Sequence, residues 1–295
     1  MSYSSLQNHA HKAAAHMKAA EKAYAEHVHA YYCFRLEVNM LKLKFKADYF
    51  LAATETNDAA QAYQLAKMKP ESKAAYIRAA ELRLKDHDHQ SAARCYDNAG
   101  EFEKAADCYM ICGGIDQAVR SIMRRAVSDP SVQVKCFEKA IDLYSKDEGK
   151  DVLASDIFKQ YIPKLLLAGN FEKYYEVSDR YKDLLTRLEQ WPFVHKEILS
   201  QVIVRLSLGE IVGAERILSG SNLNVTGFVH SPEYAAADDL LIAVRENDAE
   251  ALKNVVSRPT VTYVNTEVVK IARNIKTVHV EKQASPQEAI DAMLL

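Results

Sequence analysis

No glycine occurs before Gly100, and the whole 295-residue chain holds only nine glycines and seven prolines. A β-sandwich or a doubly wound α/β fold needs turn residues every few positions, so this scarcity argues against both. Ala, Leu, Glu, Lys and Gln, the residues of high helix propensity, fill the space instead. The expected class is all-α, and 295 residues give enough apolar material for one elongated or two compact domains.

The balance of 38 Lys+Arg against 40 Asp+Glu leaves a net charge of −2. Such a chain has no global basic field, and sequence-independent nucleic-acid binding is not expected. No run of 18 uncharged apolar residues is present, so no transmembrane helix is expected. The opening MSYSSLQNHAHK lacks the basic start and apolar core of a signal peptide, which points to a cytoplasmic location. The odd set of five cysteines (Cys33, Cys95, Cys108, Cys112, Cys136) sits mostly in helical patterns and reads as reduced, buried or half-buried thiols.

Along the chain, Leu6, Ala10, Ala13, Met17, Ala20, Tyr24, Val28 and Tyr31 recur at steps of three and four, one face of a helix. From Val28 to Lys46 the segment carries more large residues than one amphipathic stripe requires. From Lys46 to about Leu218 a weak repeat follows. Ala99-Gly100-Glu101-Phe102-Glu103-Lys104 recurs 69 residues later as Ala168-Gly169-Asn170-Phe171-Glu172-Lys173, with a looser copy at Ser207-Leu208-Gly209-Glu210-Ile211. A spacing of 69 is close to twice the roughly 34-residue period of a helix–turn–helix solenoid. Ala92-Ala93-Arg94-Cys95-Tyr96 and Ala105-Ala106-Asp107-Cys108-Tyr109 fit closely approaching helix pairs with an aromatic in the groove. These patterns predict a right-handed, tetratricopeptide-like helical solenoid over 1–218. The turn-rich run 219–227 then opens a C-terminal helical bundle over 219–280, and 281–295 forms a polar tail with an apolar end.

Motifs of catalysis are missing. Gly149-Lys150 lacks the flanking residues of a phosphate-binding loop. His9-x-His11, His27-x-His29 and His87-x-His89 place their rings apart on a helix, so they are poor metal ligands. Cys108 and Cys112 stand four apart with no second ligand pair, and no Gly-x-Ser-x-Gly elbow exists. Neither an enzyme, nor a metal, nor a cofactor, nor a small-molecule substrate is expected.

The residues from Asp88 to Gly100, Lys46-Ala-Asp-Tyr49, Trp191-Pro192 leading into Lys196 and Gln201–Leu206, and Val212–Arg216 together resemble the SNAP family, the soluble NSF attachment proteins. Gly227-Phe228, Ala235–Ala237, Leu240-Leu241 and Ser257-Arg258-Pro259 look most like its gamma form. The resemblance is collinear over nearly the whole chain. It implies an adaptor that binds the four-helix SNARE bundle and recruits and stimulates the hexameric ATPase NSF in vesicle-mediated transport, peripheral on the cytosolic face of membranes. The other reading of the same helical pattern is a general tetratricopeptide-like scaffold for peptide partners, without a link to SNAREs.

The resemblance also assigns residues. Segment 28–46 takes the place of the family's membrane loop, with Tyr31, Tyr32, Phe34 and Leu36 as apolar contacts and Lys42 and Lys44 toward anionic headgroups. Lys196 falls where the family has a SNARE-contacting lysine, and Lys159, Lys164 and Arg205 join it by helix spacing. Other family lysines are replaced here by Ser155, Asp156 and Ser200. Leu294 takes the place of the leucine that stimulates the ATPase, with Leu295 beside it.

Overall fold

A computed structural model describes residues 7–22 and 49–275. Among them every regular element is helical: α1 over 7–22, α2 Tyr49–Leu65, α3 Lys69–Lys85, α4 His89–Ala99, α5 Phe102–Ile111, α6 Ile115–Ser128, α7 Gln133–Tyr144, α8 Asp151–Leu167, α9 Phe171–Arg187, α10 Trp191–Ser207, α11 Ile211–Asn224, α12 Pro232–Arg245, α13 Ala249–Val256, α14 Pro259–Thr262 and α15 Thr266–Arg273. The helices group into two units that divide between Asp147 and Glu148.

One turn recurs through both units. Lys67, His87, Gly100, Gly113, Gly169, Glu189, Gly209 and Asn247 all take positive φ. In each case the following residue donates its N–H to the carbonyl five positions back, at 2.8–3.0 Å, and serves as N-cap of the next helix. This is the Schellman closure, which satisfies the last carbonyls of one helix while starting another. Consecutive helices therefore fold back as hairpins.

A helix pair spans two of these turns, and its length varies around the expected period of about 34: 33 residues from Lys67 to Gly100, 26 from His87 to Gly113 and 40 from Gly169 to Gly209. From Lys67 to His87, and from Gly169 through Glu189 to Gly209, the step is 20 residues, a 17-residue helix plus a three-residue turn. From His87 through Gly100 to Gly113 the step is 13. The 69 residues between Gly100 and Gly169 are a multiple of neither.

In the first unit each helix packs on its neighbour in sequence from α2 to α7. The 13-residue step carries the core with it: Ala79-Ala80, Ala92-Ala93, Ala105-Ala106 and Ala118-Val119 are all buried, as are Leu82, Tyr96, Tyr109 and Ile122 three residues after the first member of each pair or four. Small side chains let the helices approach, and the large ones fill the space beside them. Met17 of α1 joins the cluster of Ala60, Ala75, Tyr76 and Ala99, and His16 lies 2.8 Å from Glu55. Cys95, Cys108 and Cys136 are buried free thiols, whereas Cys112 is exposed, contrary to expectation, because it is the C-cap of α5.

In the second unit α10 is the hub, packed by α9, α11, α12 and α15. Eleven of its 17 residues are buried, around its whole circumference, as befits a central helix. The turn expected at 219–227 begins only at Val225, because α11 runs unbroken through Gly213 and Gly220 to Asn224. Gly213 stands where an added Cβ would come within 3.2 Å of Arg205 Cδ, so its missing side chain makes room for that of Arg205. Beyond that turn follow the helices α12 to α15, of which α13, α14 and α15 have eight residues or fewer.

Candidate partner-binding site

The second unit bears a groove of about 260 Å³ built by α8, α9, α10 and the turn between α14 and α15. Pro192 at the start of α10 satisfies the geometry of a first helical turn and sets out Phe193, Lys196 and Glu197 at helical spacing along one side. Phe193 and Tyr263 are 49% and 74% exposed, an unusual solvent exposure for aromatic side chains beside a groove. Lys196 Nζ lies 5.9 Å from the centre of the Phe193 ring. From α8, Lys159 reaches the same groove while bonded to Asp156 at 3.1 Å. Tyr181 of α9 forms part of its wall, stacked on Phe158 with ring centres 5.2 Å apart. The rim thus combines two cations with two exposed aromatic rings, a surface suited to acidic groups flanked by apolar ones.

Below the rim lies a polar network that sequence reasoning missed. Ser178 Oγ donates to Glu197 Oε1 at 2.6 Å. Gln201 Nε2 donates to Ser178 Oγ at 2.8 Å and to Asp179 Oδ1 at 2.9 Å. Lys182 Nζ completes the chain, donating to Gln201 Oε1 and approaching Asp179, both at 2.9 Å. Burial pushes the Glu197 carboxyl up to about 7; the Ser178 hydrogen bond and Lys182 oppose that rise, and Asp179 reinforces it. The only signal available in the sequence was Ser178 and Gln201 at core-facing positions, where an apolar residue fits the helical stripe.

Of the four basic residues expected to act together, the structure brings Lys159 and Lys196 into one groove. Arg205 lies in a second groove between α9, α10 and α11, beside Lys182 and Arg216. Its guanidinium stacks 3.8 Å from the centre of the Tyr175 ring and pairs with Glu210. Lys164 is exposed on α8 and lines neither groove. Tyr31, Tyr32, Phe34, Leu36, Lys42, Lys44, Leu294 and Leu295 lie outside the described residues. Among the described residues no helix is long and apolar enough to cross a membrane, and no group of three His, Cys, Asp or Glu side chains is placed to hold a metal ion.

Comparison with known proteins places these observations. The family model described as "Soluble NSF attachment protein, SNAP" matches residues 49–258, which include α8 to α13. The gamma-soluble NSF attachment protein of Dictyostelium discoideum is 26% identical over 250 residues, covering 79% of this chain and 76% of that protein. The gamma-soluble NSF attachment protein of Arabidopsis thaliana is 24% identical over 183 residues, covering 60% of this chain and 61% of that protein.

Proposed function

The chain belongs to the family of soluble NSF attachment proteins, and from that premise we propose that it is a non-catalytic adaptor that grips the assembled four-helix SNARE bundle and recruits and stimulates NSF to dismantle it. The observation that carries this reading is the meeting of Lys159 and Lys196 in one groove beside Phe193 and Tyr263; Lys159, Phe193 and Lys196 lie inside the segment that matches the family, and Tyr263 follows it. Acidic groups on a helical bundle are drawn to the two cations, which raises the encounter rate and fixes orientation more than it adds affinity. Arg205 and Lys164 extend the basic surface beyond the groove. Segment 28–46 holds the adaptor at the cytosolic face of the membrane, and Leu294 and Leu295 act on the ATPase. The energy for disassembly comes from ATP hydrolysed by the partner.

The decisive experiment mixes this protein with NSF, ATP and an assembled SNARE bundle. The expected result is co-flotation of the protein with the bundle, a rise in ATP hydrolysis and release of free SNAREs. Absence of both co-flotation and stimulation overturns the proposal and leaves a scaffold for other peptides.

A further inference from the structure

Glu197 stands in the same groove as Lys159 and Lys196. A carboxylate there works against a surface meant to attract acid. Two like charges held close together in a site that water screens poorly repel each other. The groups around it explain how it is tolerated. On α9 it faces the Ser178 hydroxyl, with Lys182 and Asp179 acting on it with opposite signs. Tyr174 and Tyr181 on that helix feel its charge in turn. The charged group that α8 brings to the groove is Lys159, paired with Asp156. Tyr263 is the titratable group of the turn before α15, and Lys196 is the neighbour on α10 itself. No groove-lining residue comes from α11 or α12. The histidine of α10, His195, is engaged elsewhere, by Thr226 O at 3.0 Å and the Phe228 ring.

We infer that Glu197 is a specificity-determining residue of this groove: protonated, it lets the rim lysines hold a carboxylate of an acidic partner, and ionised, it repels that carboxylate. The inference rests on the reading of the groove as the partner-binding face. Oε1 already accepts from Ser178, so the proton belongs on Oε2. Binding of an acidic partner then takes up a proton, and by linkage affinity falls as pH rises. Burial holds the carboxyl near 7, which puts the change between pH 6 and pH 8.

The test is fluorescence anisotropy of the full chain with a labelled, assembled SNARE bundle at pH 6, 7 and 8 and constant ionic strength. The wild type should bind about fivefold tighter at pH 6 than at pH 8. Glu197→Gln should bind at pH 8 as the wild type does at pH 6, with a flat profile. Ser178→Ala removes a donor that favours the ionised form and should move the midpoint to higher pH. A flat wild-type profile, or a slope retained in Glu197→Gln, overturns the inference. Lys159→Glu with Lys196→Glu separates the two levels. If the double variant binds like the wild type at every pH, the groove is not the binding face and both readings fall. If it binds weakly while Glu197→Gln keeps its slope, only the role of Glu197 falls.

Discussion

Ser178 on α9 and Glu197 on α10 are joined by a 2.6 Å hydrogen bond in the interior of the second unit. That contact holds a carboxyl which burial has pushed from its ordinary range up to about 7, and the shift has a consequence for stability. A folded-state pKa above the unfolded one means that the folded chain binds the proton more tightly. The stabilisation is complete below the unfolded value and is lost as pH rises toward 7. Urea unfolding should show stability falling by about 2 kcal/mol from pH 5.5 to pH 8 through this group. Glu197→Gln should flatten that slope and raise stability at pH 8; an unchanged slope would show that the carboxyl titrates as an ordinary one.

The eight Schellman turns make a second prediction, because four of them lack glycine. Lys67, His87 and Glu189 hold positive φ with exposed side chains, a conformation that costs a residue bearing Cβ roughly 1–2 kcal/mol. Replacing any of them by Gly should stabilise the chain by about 0.5–1 kcal/mol, after the entropy that Gly adds to the unfolded state. Asn247 should gain less, since Asn tolerates this region. In the reverse direction, Gly169→Ala should destabilise by about 1 kcal/mol or more. Open space surrounds its absent Cβ, so the loss is one of backbone conformation alone. Denaturant midpoints across this set test the relation; Gly variants no more stable than the parent refute it.

Within α11 two glycines should respond differently. Nothing lies within 4 Å of a Cβ added at Gly220, and Gly220→Ala should stabilise by about 0.5–1 kcal/mol through helix propensity. At Gly213 the added methyl meets Arg205 Cδ at 3.2 Å, which displaces the guanidinium from Tyr175. Gly213→Ala should therefore gain less than Gly220→Ala, and Gly213→Val should lose stability. Equal gains at both sites would mean that Arg205 moves without cost.

Membrane attachment, proposed for segment 28–46, is tested by changing Tyr31, Tyr32 and Phe34 together to Ser. Aromatic side chains favour the headgroup level, so liposome co-sedimentation should be lost while the far-ultraviolet helical signal stays. Retained sedimentation removes the segment from the proposal.

Much of the fold was legible because glycine marks a left-handed turn in the sequence itself: Gly100, Gly169 and Gly209 were read as equivalent, and the structure closes all three in the same way. Lys67, His87, Glu189 and Asn247 make the same turn without that mark. There the flanking helices impose a conformation that the residue does not prefer, and so the steps of 13 and 20 residues stayed hidden. Gly220 misled in the other direction, because the interior of α11 accepts a glycine there with open space around it. At the site, Trp191-Pro192 located Lys196. The neighbouring Glu197 looks in sequence like the solvated partner of a helical lysine, and only the packing of α9 on α10 buries it.

Lys196 was placed by family position and Lys164 was joined to it by helix spacing, but the structure separates them, and binding should as well. Lys159 and Lys164 are five residues apart on α8, about 140° around the helix axis. Only Lys159 reaches the groove with Lys196. A charge inside a groove shared with another cation interacts through less water than an exposed one, and so is screened less by salt. Lys196→Glu should therefore weaken SNARE-bundle binding about tenfold and reduce its dependence on salt. Lys164→Glu, on an exposed face outside the groove, should change affinity less than about twofold. Anisotropy titrations at 50 and 200 mM salt measure both effects. Equal losses in the two variants would mean that the bundle is held by a diffuse basic surface, and the groove between α8 and α10 would lose its place as the grip.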